Sequence, residues 1–200
     1  MKKTMVATAV AAVLALSACT DNKAPAQAEQ TAQPAATATE SAPAVTATNP
    51  LLTPSPLQYH APEFDKIKVE HYQPAMEQGI TEHAAEIEKI ANNPEAATFE
   101  NTIVAMEQSG DLLERASSVF YNMTGTISNP DILKIQTAMS PKLAEHSDNI
   151  NLNPTLFARV KAIYDNRANL NLDAESVRLV EVYYDRFVRS GALLTEEQKT

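Results

Sequence analysis

The chain has 200 residues, a formal net charge of −9, one cysteine and four glycines. A single cysteine excludes an internal disulfide and a cysteine-rich zinc site. The acidic balance argues against a nucleic-acid-binding protein, which should carry a basic surface. The charge is unevenly distributed, because residues 1–18 carry +2, residues 19–48 carry −2 and residues 49–200 carry the remaining −9. The chain therefore consists of three unlike segments.

Residues 1–18 have the pattern of a secretory signal peptide. Two lysines precede an apolar stretch that is too short to span a bilayer. The run LSAC, which ends at Cys19, resembles the lipobox of bacterial lipoproteins, in which the cysteine becomes the first mature residue and receives lipid. The resemblance implies lipidation of Cys19 and an anchor in the bacterial cell envelope. Thr20 stands where an aspartate would favour the inner membrane, so we expect the outer membrane, facing the periplasm. The alternative is an ordinary signal peptide with a chance cysteine.

The second segment, residues 19–48, is rich in Ala, Thr and Pro and has no aromatic residue. Such a segment cannot bury enough apolar surface to offset the entropy lost on ordering it. We expect a disordered tether between the anchor and a folded region that begins at residue 49. Residues 49–64 are proline-rich but apolar, which predicts an extended arm laid over a helical surface.

Apolar side chains then recur at helical spacing. The pattern predicts one helix over Val69–Ala91, with an inward face made of Tyr72, Met76, Ile80, His83, Ile87 and Ile90. Thr98 is predicted to cap a second helix, whose apolar stripe continues past Gly110 to Met123. A break at Gly110 is the alternative, because glycine weakens a helix interior by ~1 kcal/mol.

Two later helices begin with the same signal, an asparagine cap followed by a proline in the first turn. These starts are Asn129-Pro130 and Asn153-Pro154. Pro141 lies inside the third helix and predicts a kink or a split there.

The last part of the chain predicts a fifth helix between Asp173 and Gly191. Thr195 and Gln198 then have the spacing of a capping box, which indicates the start of a sixth helix. Since the sequence stops at Thr200, this start suggests that the natural chain continues. No alternating strand pattern occurs, so the sequence predicts an all-α fold, an antiparallel array of helices with short loops.

The four histidines do not form a zinc motif. A helical zinc peptidase site needs two histidines four residues apart, with a glutamate after the first, and none of His60, His71, His83 and His146 has this spacing. His83 and His146 lie on apolar stripes and are expected to be hydrogen-bonded core residues. His60 and His71 are expected at the surface or under the arm. We therefore predict no catalytic residue and no metal ligand in this chain.

Charged residues at helical spacing are expected to lie on solvated helix faces. They form two groups, Glu82, Glu86 and Lys89 on the first helix and Glu114, Arg115 and Ser118 on the second. The richest polar cluster belongs to the fifth helix and comprises Arg178, Tyr183, Tyr184, Arg186 and Arg189. Pairing of these arginines with Glu181 and Asp185 is favoured, and contact with a substrate carboxylate is the alternative.

Residues 49–200 contain five characteristic runs, which are NPLLTPSPLQYHAPEFDKI, EHYQPAMEQGI, TFENTIVAMEQSGDLLERASSVF, PKLAEHSDNINLNPTLFARVKAIYD and VRLVEVYYDRFVRSGALL. These runs resemble the thimet-oligopeptidase-like zinc metallopeptidases, and their peptidyl-dipeptidase branch most. The resemblance implies a helical, clam-shaped fold around a deep channel, a zinc ion bound by a His-Glu-x-x-His helix, and short peptide substrates.

This chain matches only the N-terminal portion of that family, and it has no counterpart of the family's zinc ligands or catalytic glutamate. The resemblance therefore predicts the N-terminal helical wall of a larger, lipid-anchored peptidase, inactive by itself. The alternative is a complete, non-catalytic helical lipoprotein that binds a peptide or a protein partner.

Overall fold

The computed structural model describes residues 49–127 and 129–195, and helices account for most of them. The α-helices are α1 (Val69–Ala91), α2 (Ala105–Glu107), α3 (Asp111–Thr126), α4 (Pro130–Asn151), α5 (Pro154–Asn166) and α6 (Ala174–Arg189). A π-helical turn, Phe99–Val104, leads directly into α2, and short 3-10 turns occur at Gln58–His60 and Arg167–Asn169. The described ranges contain no β-strand, which confirms the predicted all-α class.

The predicted helix starts are confirmed by their caps. The side chain of Asn129 accepts hydrogen bonds from two first-turn amides of α4, and Asn153 does the same for α5. The carboxylate of Asp173 accepts from Ser176 N at 2.8 Å. Each cap satisfies amides that have no partner inside the helix, which is why these sequence signals place a helix start well. At the other end of α6, Gly191 has φ +99°, a conformation that suits glycine.

The predicted continuous second helix is wrong, and the alternative break at Gly110 is correct. Thr98 caps the π-helical turn, accepting from Asn101 N at 3.0 Å, but the helix ends at Glu107. Gly110 has φ +81°, a left-handed conformation that turns the chain before α3 begins at Asp111. The apolar stripe continues across this break because the residues before it pack in a core with the C-terminal half of α1, and those after it pack in a core with its N-terminal half.

Pro141 does not split the third predicted helix. α4 runs through it from Pro130 to Asn151. Pro141 lies on the solvent-exposed side of the helix, and a proline removes one backbone hydrogen bond of its own helix. The apolar positions on both sides of it, Met139 and Leu143, belong to the same core.

The apolar interior is divided into two clusters that share α1. The first cluster lies between the C-terminal half of α1, the π-helical turn, α5 and α6, and its buried members include Ile87, Ile103, Val160, Val180 and Phe187. The second lies between the N-terminal half of α1, α3 and α4, and its buried members include Leu51, Met76, Phe120, Ile132 and Met139. α1 therefore connects two packed groups of helices.

The proline-rich arm packs on the second cluster through Leu51, which is buried. Arg115 of α3 donates from Nε to the carbonyl oxygen of Leu51 at 3.0 Å and from a terminal nitrogen to that of Leu52 at 3.2 Å. Asn49 Nδ2 donates to the carbonyl oxygen of His71 at 2.9 Å. The packing of the arm on a helical surface is confirmed for Leu51, but the rest of the arm follows turns rather than an extended path and leaves Leu57, Tyr59 and Phe64 exposed. The expectation that Arg115 lies on a solvated face is wrong, because it fastens the arm.

None of the helices in the described ranges is both long and apolar enough to cross a bilayer. The predicted signal peptide, Cys19, the tether and the sixth helix beyond Thr195 lie outside the described residues.

Candidate functional site

Polar side chains meet where the two apolar clusters adjoin. We call this group, made of His83, Glu86, Ser109, Gly110 and His146, the polar seam. His83 of α1 places Nδ1 3.0 Å from Nε2 of His146 on α4, and its Nε2 lies 3.2 Å from Oγ of Ser109. His146 is 7% exposed. Both rings are hydrogen-bonded inside the fold, as their positions on apolar stripes predicted.

Gly110 is held against the same ring. Its backbone N–H donates to Oε2 of Glu86 at 2.7 Å, so Glu86 is not the solvated surface residue that the sequence predicted. A Cβ atom at position 110 would lie 3.0 Å from Nδ1 of His83. The left-handed turn and the absence of a side chain are both required for the imidazole to lie flat against the backbone.

Burial lowers the pKa of both seam histidines. For His83 the desolvation of a charged ring outweighs the attraction of Glu86, so its pKa lies below the ordinary value. The pKa of His146 is lowered by burial first and by the neighbouring His83 second. Both rings are therefore neutral at pH 7.

A cavity of about 480 Å³ opens beside the seam and extends to α6. On its far wall Tyr183 donates its hydroxyl to Oε1 of Glu107 at 2.5 Å. The guanidinium carbon of Arg186 lies 5.0 Å from the centre of the Tyr183 ring, a cation–π distance. Burial, with the Glu107 carboxylate, raises the pKa of Tyr183 well above its ordinary value, so this tyrosine remains a hydrogen-bond donor.

The arginine–tyrosine cluster of α6 does not converge on one site. Arg178 pairs with Glu181 at 3.1 Å, as predicted, whereas Arg186 lies on the Tyr183 ring. Tyr184 faces away from that ring and stacks on Tyr164 with 3.8 Å between centroids. The remaining charged residues of the cluster, Asp185 and Arg189, line a shallow surface cleft together with Arg178 and Arg186.

Arg159 is a buried charged residue that the sequence did not single out. It is 9% exposed and makes four hydrogen bonds to neutral groups in residues 93–102. Nε donates to Thr102 Oγ1 at 3.2 Å, and one terminal nitrogen donates to Asn101 Oδ1 at 2.8 Å. The other donates to the carbonyl oxygens of Asn93 and Glu95, both at 2.9 Å. This guanidinium fixes the connection between α1 and the π-helical turn on α5.

The remaining histidines are local structural groups. His60 is exposed, with Nδ1 2.8 Å from the carbonyl oxygen of Ser55 in the arm. His71 accepts from the backbone N–H of Lys68 at 3.1 Å and thereby caps α1. Throughout residues 49–127 and 129–195 no three His, Cys, Asp or Glu side chains are grouped so that they could hold a metal ion.

The sequence of the chain is similar to part of several curated peptidases. The chain is 50% identical over 152 residues to dipeptidyl carboxypeptidase of Salmonella typhimurium, a match that covers 76% of this chain and 22% of that protein. It is 47% identical over 155 residues to dipeptidyl carboxypeptidase of Escherichia coli, and 24% identical over 152 residues to oligopeptidase A of Escherichia coli. No protein-family model matches the chain. The chain spans less than a quarter of the length of these relatives.

Proposed function

Since this chain is homologous to the dipeptidyl carboxypeptidases and, more distantly, to oligopeptidase A, we propose that it works as a helical part of a zinc metallopeptidase. That peptidase would hydrolyse short peptides and release C-terminal dipeptides. The observation that carries the proposal is the 50% identity over 152 residues, a match far longer than any single helix or motif of the chain. In this proposal the zinc ion and the reacting groups belong to the larger protein.

The surface of the described region supports a structural role of this kind. The arm exposes three large apolar side chains within eight residues, Leu57, Tyr59 and Phe64, and Tyr59 is 92% exposed. Further exposed apolar residues lie near the junction of α3 and α4, Tyr121, Ile127 and Leu133. Scattered exposed apolar residues are normal, but a concentration of them is typical of a surface that another part of a protein covers.

A region exchange tests the proposal directly. The 152 matched residues of the Salmonella typhimurium dipeptidyl carboxypeptidase are replaced by the matching residues of this chain. We expect the chimera to release dipeptides from an internally quenched peptide at a rate within about tenfold of the parent, because half of the exchanged residues are identical. The purified chain alone, assayed with the same peptide and added zinc, should show no turnover.

Two results would contradict the proposal. One is a chimera that melts like its parent and binds zinc like it, yet cleaves no peptide. The other is zinc-dependent peptide cleavage by the isolated chain. The non-catalytic alternative makes a different prediction, because in that case the coding DNA has a stop codon directly after Thr200.

We further propose that Cys19 anchors the protein in the outer membrane, facing the periplasm. The LSAC run and the preceding signal pattern support this. In a bacterium fed a radiolabelled fatty acid, the full chain should carry the label and sediment with membranes. The Cys19→Ser variant should lose the label and the membrane association. Label retained by that variant would overturn the proposal.

A further inference from the structure

A single N–H···N hydrogen bond joins the two imidazoles of the polar seam, and the surrounding hydrogen bonds fix which ring donates it. The hydroxyl of Ser109 donates to the carbonyl oxygen of Met106 at 2.8 Å, so its oxygen accepts from the Nε2–H of His83 at 3.2 Å. A neutral imidazole has only one N–H. Nδ1 of His83 is therefore an acceptor, and Nε2 of His146 donates to it over 3.0 Å.

This direction makes the two histidines respond differently to acid. His146 uses only Nε2 in the chain of hydrogen bonds, so a second proton on its Nδ1 leaves the bond to His83 in place. His83 uses both of its nitrogens. A proton on Nδ1 of His83 would point at the N–H of His146, and two donors cannot bond to each other. Protonation of His83 therefore breaks the contact between α1 and α4 at this point.

We propose that the His146–His83–Ser109 chain is a proton-operated latch that joins α4 and the Ser109–Gly110 turn to α1. While His83 is neutral, the latch holds α4 to α1 and to the Ser109–Gly110 turn. When Nδ1 of His83 takes a proton, the latch opens, and the cavity of about 480 Å³ beside it becomes more accessible. This inference does not depend on the proposed peptidase function.

Titratable and charged groups face the latch from several helices. Glu86 lies beside His83 on α1. Glu107 of α2, Glu114 of α3 and Arg186 with Tyr183 of α6 line the cavity side, and Glu77, Lys142 and Glu145 line the side of His146. Glu86 already accepts from Gly110, Glu107 from Tyr183 and Glu77 from Lys142. Each of these three carboxylates thus already accepts a hydrogen bond. Glu86 favours the protonated form of His83, but burial is the stronger effect on this ring.

The sign of the pH effect follows from the lowered pKa values of His83 and His146. The unfolded chain binds protons at the ordinary histidine pKa of about 6.5, whereas the latched form does so only at lower pH. The stability that the latch contributes is complete above that value and is lost as the pH falls through the lower pKa values of the folded form. The open population should then rise by up to about tenfold per pH unit for each extra proton.

Nuclear magnetic resonance of the purified chain tests the latch. The imidazole nitrogens at pH 7.5 should show His83 as the Nε2–H tautomer, and its ring should titrate below the pKa of an ordinary histidine. The protection of the Gly110 amide, corrected for its intrinsic exchange rate, should fall as His83 takes up its proton. The opposite tautomer, or an ordinary pKa for His83, would overturn the proposal.

The His83→Gln variant separates the latch from general acid sensitivity. A glutamine amide can accept from His146 and donate to Ser109 without titrating, so its Gly110 protection should be nearly independent of pH between 7.5 and 5. The matched control is His71→Gln, which changes a histidine that only caps α1 and should behave like the unmodified chain. Equal pH dependence in all three proteins would contradict the latch. If His83→Gln does not fold, the tautomer and the titration of His83 in the unmodified chain decide whether the latch exists.

Discussion

Replacing Arg159 by methionine should lower the free energy of unfolding by about 2–4 kcal/mol, and the melting temperature by on the order of 10 °C. Methionine keeps most of the apolar stem but has no donors. The variant removes four hydrogen bonds at once, to Thr102, Asn101 and the carbonyl oxygens of Asn93 and Glu95. Acceptors left without a donor in a partly buried position cost more than the bond itself contributed.

The stability lost in Arg159→Met should depend on the planar geometry of the guanidinium group. Arg159→Lys keeps the charge but cannot present donors in a planar fork, so it should recover less than half of the lost stability. The matched control is Arg178→Met on the exposed face of α6, whose guanidinium makes one ion pair, with Glu181. An exposed pair contributes about 0–1 kcal/mol. Urea unfolding of the three variants measures the differences, and equal losses in Arg159→Met and Arg178→Met would refute this account.

Arg159 also shows what the sequence could not predict. In the helical pattern around Phe157 and Val160 it occupies a position next to the apolar face, where an arginine is usually solvated. Its four acceptors lie 57 to 66 residues earlier in the chain, and no local spacing connects them. The sequence offered only a general indication of this contact. The connection formed by residues 93–102 contains asparagine side chains and backbone carbonyls that need hydrogen-bond donors.

The features that could be predicted were local. Asn129, Asn153 and Asp173 were recognised as caps because each side chain bonds to amides two or three residues later. The face of α1 followed from periodicity alone. The break at Gly110 depends on Glu86 and His83, which lie 24 and 27 positions away, and the apolar stripe could not reveal it. The polar seam was predicted in part. Both histidines were expected in the core, but the contact between them was not predicted.

Gly79 and Gly125 should respond to alanine in opposite directions, although both lie in helices. A Cβ atom at Gly79 would lie 2.7 Å from Cα and 2.8 Å from N of Leu113, well inside the contact distance of carbon atoms. α1 and α3 therefore pack backbone to backbone at Gly79, a close approach that the sequence did not assign to this glycine. A Cβ atom at Gly125 would meet no atom within 4 Å.

For Gly125→Ala, near the end of α3, we expect a gain of about 0.5–1 kcal/mol, since alanine loses less backbone entropy on folding. The same gain applies at position 79, but there the two helices must separate, and overpacking of this kind costs about 1–3 kcal/mol. Gly79→Ala should consequently be destabilised by about 1–2 kcal/mol net, and Gly79→Val by more. Thermal and urea unfolding measure both signs. The Leu113 atoms nearest to that Cβ are its backbone Cα and N and its own Cβ, all of which an alanine retains. Leu113→Ala should therefore not rescue Gly79→Ala, and a full rescue would contradict the close backbone approach of α1 to α3.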